Sequence, residues 1–320
     1  KVSWRRYNKI KMIINTDDLI GKIDFLKKQR NAVILAHNYQ RSEVQDVADF
    51  VGDSLELSRK AADTNADVIV FCGVRFMAET AKILSPEKVV LIPEEEALCP
   101  MAAMINADEL RDLKSKHPKA KVVCYVNTTA ETKAECDVCC TSANAVSVVE
   151  KIDSDEIIFA PDKYLSKFVE NELKARGINK KIIPWQGFCP THSKIIPDYI
   201  KKLKSENPDA KVISHPECTP DVNRLSDAVL STSKMAKFVK ESGVSKFIVA
   251  TELGIIHRLQ KENPDKIFIP ATSLCVCPNM KMTTLDSVYE SLRDMKYEIR
   301  LDADIIAKSK NAIDAMLEQF

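Results

Sequence analysis

Short apolar runs rich in Val and Ile recur along the chain. Longer stretches separate them, in which apolar residues return every three or four positions. The runs are AVILAHNY (32–39), DVIVFCG (67–73), KVVLIPE (88–94), KVVCYVN (121–127), EIIFAPD (156–162), KIIPWQG (181–187), KVISHPE (211–217), KFIVATE (246–252) and IFIPATS (267–273). Apolar on both faces, they read as strands buried in parallel sheets. Stretches such as LELSRKAADT (55–64), NAVSVVEKI (144–152) and KMAKFVKESG (234–243) carry the helical period. Alternation of the two predicts βαβ units with right-handed crossovers, hence an α/β fold.

The nine predicted strands fall into three triplets. First strands begin near 33, 122 and 212, second strands near 68, 157 and 246, third strands near 89, 182 and 267. A period of about 90 residues implies three homologous α/β modules, each with a short parallel sheet; if they are arranged around a pseudo-threefold axis, equivalent positions converge on it. Their expected limits are 12–102, 103–190 and 191–278. Residues 1–11, basic and not opening on Met, are expected to be a tag or a flexible N-terminus. The alternative, one long doubly wound sheet, leaves the further repeats unexplained.

Those repeats carry chemistry. Each third strand holds Ile-Pro, and each is followed by Cys-Pro: Cys99-Pro100, Cys189-Pro190 and Cys277-Pro278. Random placement of 10 Cys and 14 Pro in 320 residues would give about 0.4 such pairs. Ligands of open parallel sheets bind beyond the strands' carboxyl ends, where these cysteines fall. Three converging thiolates suit zinc with a water, or three irons of a [4Fe–4S] cluster with one iron left open. Cys136, Cys139 and Cys140 form CDVCC, a C-x-x-C without a second pair. Cys275 lacks the repeated proline, and Cys72, Cys124 and Cys218 read as core or lining residues.

The first strands end in AHNYQ, CYVNT and HPECT. They bring His37, Tyr39, Tyr125, Asn127, His215 and Glu217 to the same mouth. His and Tyr serve as general acids or bases, and Asn and Glu can orient substrate. Ser54, Ser142 and Thr232 align at three helix starts, where they would cap or bind anions such as carboxylate and phosphate. His192, three residues after Cys189, reads as a cavity-side group, whereas His257 sits in a helical pattern and reads as structural.

Composition narrows the function. Formal net charge is +1, from 47 basic and 46 acidic residues, without the basic excess of a nucleic-acid binder. No apolar run approaches the roughly 18–20 residues that span a bilayer, and the start lacks a secretory apolar stretch. A cytoplasmic protein with its cysteines as thiols or metal ligands is expected. Neither common phosphate-loop signature occurs among only 7 glycines.

Together, LAHNYQ, GDSLELS, ALCPMA, CYVNT, CCTSANAV, GFCPTH, SHPEC, STSKM, ATELG and CPNMKM resemble the motifs of the quinolinate synthase family, the A protein of NAD biosynthesis, across residues 12–320. The resemblance implies condensation of iminoaspartate with dihydroxyacetone phosphate to quinolinate, with loss of phosphate and two waters. It implies that the three modules stand around a pseudo-threefold axis. It implies one [4Fe–4S] cluster, acting as a Lewis acid through its open iron, on Cys99, Cys189 and Cys277. It places His37, Tyr39, Ser54, Tyr125, Asn127, Ser142, His192, His215, Glu217 and Thr232 at the site, with Tyr39, His37, His215 and Glu217 as acid–base candidates. An L-aspartate oxidase or aspartate dehydrogenase is the implied upstream partner, and residues 279–320 are implied to pack back on the first module. In some relatives the last motif carries three cysteines with two-residue gaps. Here Leu274 stands in the middle position, so a disulfide switch is not expected. The rivals are a three-module enzyme of diphthamide biosynthesis, disfavoured by AHNYQ and HPEC, and a non-enzymatic Fe–S or zinc sensor.

Overall fold

Twelve strands sort into three four-stranded parallel sheets in the computed structural model, which describes residues 4–319, with side chains from 17 to 317. The first sheet holds β1 (Ala32–His37), β2 (Phe50–Gly52), β3 (Val68–Cys72) and β4 (Val89–Leu91). The second holds β5 (Lys121–Tyr125), β6 (Val138–Cys140), β7 (Glu156–Ala160) and β8 (Lys181–Pro184). The third holds β9 (Lys211–Ser214), β10 (Ala228–Val229), β11 (Lys246–Ala250) and β12 (Ile267–Pro270). Strand order is 2-1-3-4 in the first sheet and its equivalent in the others. The predicted α/β class with three short parallel sheets is borne out. Side chains of residues 1–11, expected to be a tag or flexible end, lie outside the described residues.

β2, β6 and β10 are strands the apolar pattern did not announce. Each is two or three residues long and is preceded by an aspartate that carries the pairing. Asp49, Asp137 and Asp227 each accept the amide N–H of Ile34, Val122 and Val212 at 2.8 Å. Each returns its own amide to the same residue's carbonyl, at 2.9, 3.1 and 2.8 Å. A carboxylate thus extends the ladder by one rung at the same place in every sheet.

The central strands are buried on both faces, and period-2 alternation sorts their side chains. Leu35, Ile157, Phe159, Phe247 and Val249 enter one core shared by all three sheets. Their neighbours Ile34, Ile158 and Ile248 enter three separate outer clusters under the helices of each module. Helix Leu285–Asp294 packs on helix Trp4–Gln29 and on β3. The last helix, Ala303–Gln319, lies across β6, helix Ala130–Lys133 and helix Arg75–Leu84, so the tail spans two sheets.

In the order 2-1-3-4 the crossovers leave the two central strands in opposite directions. A crevice opens between their carboxyl ends. Three such crevices meet in the shared core.

Candidate active site

A cavity lies at that meeting point. Every residue singled out above as a site candidate lines it: His37, Tyr39, Ser54, Cys99, Tyr125, Asn127, Ser142, Cys189, His192, His215, Glu217, Thr232 and Cys277. Val74, Phe76, Met77 and Met101 supply an apolar wall.

The loops after the edge strands β4, β8 and β12 carry Cys99, Cys189 and Cys277. All three are half-buried and none is in a disulfide. Burial pushes the Cys99 thiol up to about 12, that of Cys189 well above its ordinary value, and that of Cys277 upward. The Cys189 loop approaches β7's end closely. A Cβ on Gly187 would sit 2.5 Å from the carbonyl oxygen of Pro161, so only glycine fits there.

β1 and β9 end in the same device. His37 Nδ1 accepts the amide of Tyr39 at 3.1 Å, and His215 Nδ1 accepts that of Glu217 at 3.3 Å. An imidazole nitrogen that accepts carries no proton, so the proton of each neutral ring sits on Nε2, on the cavity side. His215 Nε2 lies 3.1 Å from Ser142 Oγ. Burial is the main cause that lowers both imidazoles to about 3. They are neutral at pH 7.

This has a consequence for stability. Free histidine titrates near 6.5, so between pH 6.5 and 3 the unfolded chain binds more protons than the folded one at these two positions. Stability present above pH 6.5 is therefore lost as pH falls, by up to about 1.4 kcal/mol per pH unit per histidine. Urea midpoints measured from pH 7 to 4.5 are expected to fall, and less steeply in His215→Gln than in the wild type.

The aligned hydroxyls are not caps, contrary to the simplest expectation. Asp53 caps helix Ser54–Asp63, accepting from Leu55 and Glu56, and Ser231 caps helix Thr232–Glu241 through the amide of Lys234. Ser54 and Thr232 fall one position later, on the cavity. Ser142 precedes a shorter helix that starts at Ala145, and is held by His215 instead.

A hydrogen-bonded chain crosses the cavity. Tyr39 Oη is 2.6 Å from Thr251 Oγ1, which is 2.9 Å from His192 Nε2. His192 Nδ1 is 2.8 Å from Glu217 Oε2, and Tyr125 Oη donates to Glu217 Oε1 at 2.5 Å. Burial opposes the charge on Glu217. The neighbouring imidazoles and the bonds from His192 and Tyr125 outweigh it and hold the carboxyl well below its usual range. Tyr39 and Tyr125 are pushed up by burial and keep their protons.

Sequence comparison agrees with the motifs. The family model described as NadA, quinolinate synthetase A protein, matches residues 21–318. A quinolinate synthase of Dehalococcoides mccartyi (strain CBDB1) is 57% identical over 92% of this chain and 96% of its own length. Quinolinate synthase 1 of Methanosarcina acetivorans is 51% identical over 94% and 97%, and the quinolinate synthase of Alkaliphilus metalliredigens 48% over 95% and 99%. The chain belongs to the quinolinate synthase family. The family expected from the motifs is thereby borne out, and with it the expectation of an enzyme.

The quinolinate synthase site also holds groups that sequence reasoning left unassigned. Thr251 sits in the relay, and Glu252 lines the cavity although buried. Both belong to the ATELG motif, whose individual residues carried no assignment. Cys275 points away, its thiol 3.5 Å from the carbonyl of Thr191. Cys139 and Cys140 are buried in β6, and the Cys136 thiol donates to the carbonyl of Thr132. Among the described residues, the one group of three donors within 4.8 Å of one another is Cys189, His192 and Glu217. His257 lies on helix Ile255–Glu262, 3.0 Å from Asp46 and outside the cavity. No helix of the described residues is long and apolar enough to cross a membrane.

Proposed function

We propose that this quinolinate synthase family member condenses iminoaspartate with dihydroxyacetone phosphate to quinolinate, releasing phosphate and two waters, and that Cys99, Cys189 and Cys277 hold one [4Fe–4S] cluster. The observation that carries this is one cavity lined by three half-buried thiols, one from each sheet's edge loop, beside a relay of proton-bearing side chains. The donor set fits the cluster: three soft sulfur ligands, unbridged and poorly solvated, and a cation would draw them to thiolates. When bound, such a cluster supplies Lewis acidity through the iron that lacks a protein ligand.

The chain's own residues do the rest. A proton taken up at Tyr39 Oη passes through Thr251 Oγ1 and His192 Nε2, and His192 Nδ1 delivers one to Glu217 Oε2. Each intermediate group gives up one proton and takes one. The reverse flow returns a proton to a departing hydroxyl, as dehydration requires. Neutral His37 donates through Nε2 to substrate oxygen, and His215 Nε2 holds the Ser142 hydroxyl, which faces the substrate in its place. Asn127 Oδ1, buried without a hydrogen-bond partner, is left for a donor on the ligand. The hydroxyls of Ser54 and Thr232, on the cavity at the starts of ten-residue helices, are offered to carboxylate and phosphate, whereas the amides of Leu55, Glu56 and Lys234 are already taken by Asp53 and Ser231. Iminoaspartate would come from an L-aspartate oxidase or an aspartate dehydrogenase, in a reducing cytoplasm that keeps the thiols free.

Protein isolated and reconstituted without oxygen is expected to form quinolinate when iminoaspartate is generated beside dihydroxyacetone phosphate. Absence of product with a full cluster would overturn the activity. The Cys189, His192 and Glu217 triple supports a second reading, a single zinc ion. A colourless protein with one zinc and no sulfide would establish that reading against the cluster.

A further inference from the structure

Glu252 stands two residues beyond β11 and is fully buried. Its Oε1 accepts the amide of Cys277 at 3.2 Å, and its Oε2 accepts the amide of Gly254 at 2.6 Å. Lys281 Nζ pairs with it at 3.1 Å and also donates to the carbonyl of Tyr39 at 2.5 Å. A buried carboxylate without a cation is costly, so this lysine is held as firmly as the glutamate. The next contacts close the loop. A Cβ on Gly254 would lie 2.8 Å from Tyr39 Cα, so the two backbones touch. Thr251 holds the Tyr39 hydroxyl.

The four-residue segment after β11 thus holds Tyr39 at its hydroxyl and against its backbone, its glutamate holds the amide of Cys277, and Lys281, paired with that glutamate, holds the Tyr39 carbonyl. The repeat does not demand it. The position two residues beyond β3 is Val74, and the one beyond β7 is Asp162, which caps helix Lys163–Ala175.

We propose that Glu252 and Lys281, with Thr251, are positioning residues that couple the seating of Cys277 to the placement of Tyr39. The inference rests on the reading of Cys277 as a ligand and Tyr39 as a proton-transfer group. Whatever displaces Cys277 moves Glu252, and Lys281 passes the movement to Tyr39. Ligand seating and acid–base geometry then change together rather than independently.

The test uses the full-length chain and compares Glu252→Gln, Lys281→Met and Lys281→Arg with the wild type. Alkylation of Cys277 and Cys99 by iodoacetamide is followed after chelation, and cluster loss and steady-state rates after reconstitution. Glu252→Gln and Lys281→Met are expected to raise the Cys277 rate at least about fivefold with Cys99 within about twofold. Both should lose cluster about tenfold faster, and lower kcat about tenfold or more with KM within about threefold. Lys281→Arg should return Cys277 and kcat most of the way. Equal acceleration at Cys99 and Cys277, meaning general loosening, would overturn the proposal, as would an unchanged Cys277. The alkylation comparison decides even if wild-type protein forms no quinolinate, an outcome that would sink the proposed activity instead.

Discussion

Cys189→Ser is expected to abolish quinolinate formation, lowering kcat by at least about 10³-fold, while leaving the chain folded. The thiol lines the cavity with Cys99 and Cys277, 3.1 Å from His192 Nδ1. Serine keeps the shape but offers a hard, rarely ionised oxygen where soft sulfur is wanted. Two thiols remain, too few to hold a cluster in this cavity. Reconstituted Cys189→Ser should therefore contain less than about half the wild-type iron and sulfide and lose the brown absorbance. Cys275→Ser is the informative control. Cys275 lies two residues from Cys277 but packs into the outer cluster of the third sheet, away from the cavity. Its iron content should stay at the wild-type level. Turnover retained in Cys189→Ser would mean that the chemistry does not need the cluster.

The second large effect belongs to the carboxylate beside that thiol, bonded to the same histidine. Glu217→Gln is expected to reduce kcat by about 10²–10⁴-fold with little change in KM. The amide is nearly isosteric, and its oxygen can still accept from Tyr125. Its NH2 then faces His192 Nδ1, so the acceptor at Oε2 is lost together with the capacity to take a proton there. The relay from Tyr39 then has no terminus. Single-turnover measurement of quinolinate separates this from weakened binding. A loss below about tenfold would demote Glu217 to an orienting role and leave the proton's destination elsewhere.

Periodicity makes most of this architecture legible in the sequence. Strand centres announce themselves because both faces are buried, so β1, β3, β5, β7, β9 and β11 stand out as apolar runs. The edge strands β2, β6 and β10 do not, because their pairing begins on an aspartate side chain rather than on an apolar residue. Most cavity residues stand out by their recurrence about every 90 residues, His192 by its place after Cys189, and recurrence hides what does not repeat. Glu252 has Val74 and Asp162 as counterparts, two residues of different chemistry, and Lys281 lies beyond the last repeat. The hydroxyls of Ser54 and Thr232 line the cavity, and their neighbours Asp53 and Ser231 do the capping. Local rules resolve a helix start to within a residue or so, and here that residue separates a structural group from a cavity group.

The three cysteines come from loops 90 and 88 residues apart, and the third lies at position 277 of 320. A group that needs all three is a record of completed synthesis. Chains fold from the N-terminus as they emerge, so the first two sheets can form while the third thiol is still unmade. A cluster held by all three, as proposed, would be loaded only after the last sheet has left the ribosome, and a chain truncated before Cys277 would lack its third ligand. Once loaded, such a group would favour the state in which all three edge loops meet, and so would tie together modules that covalent bonds join only end to end.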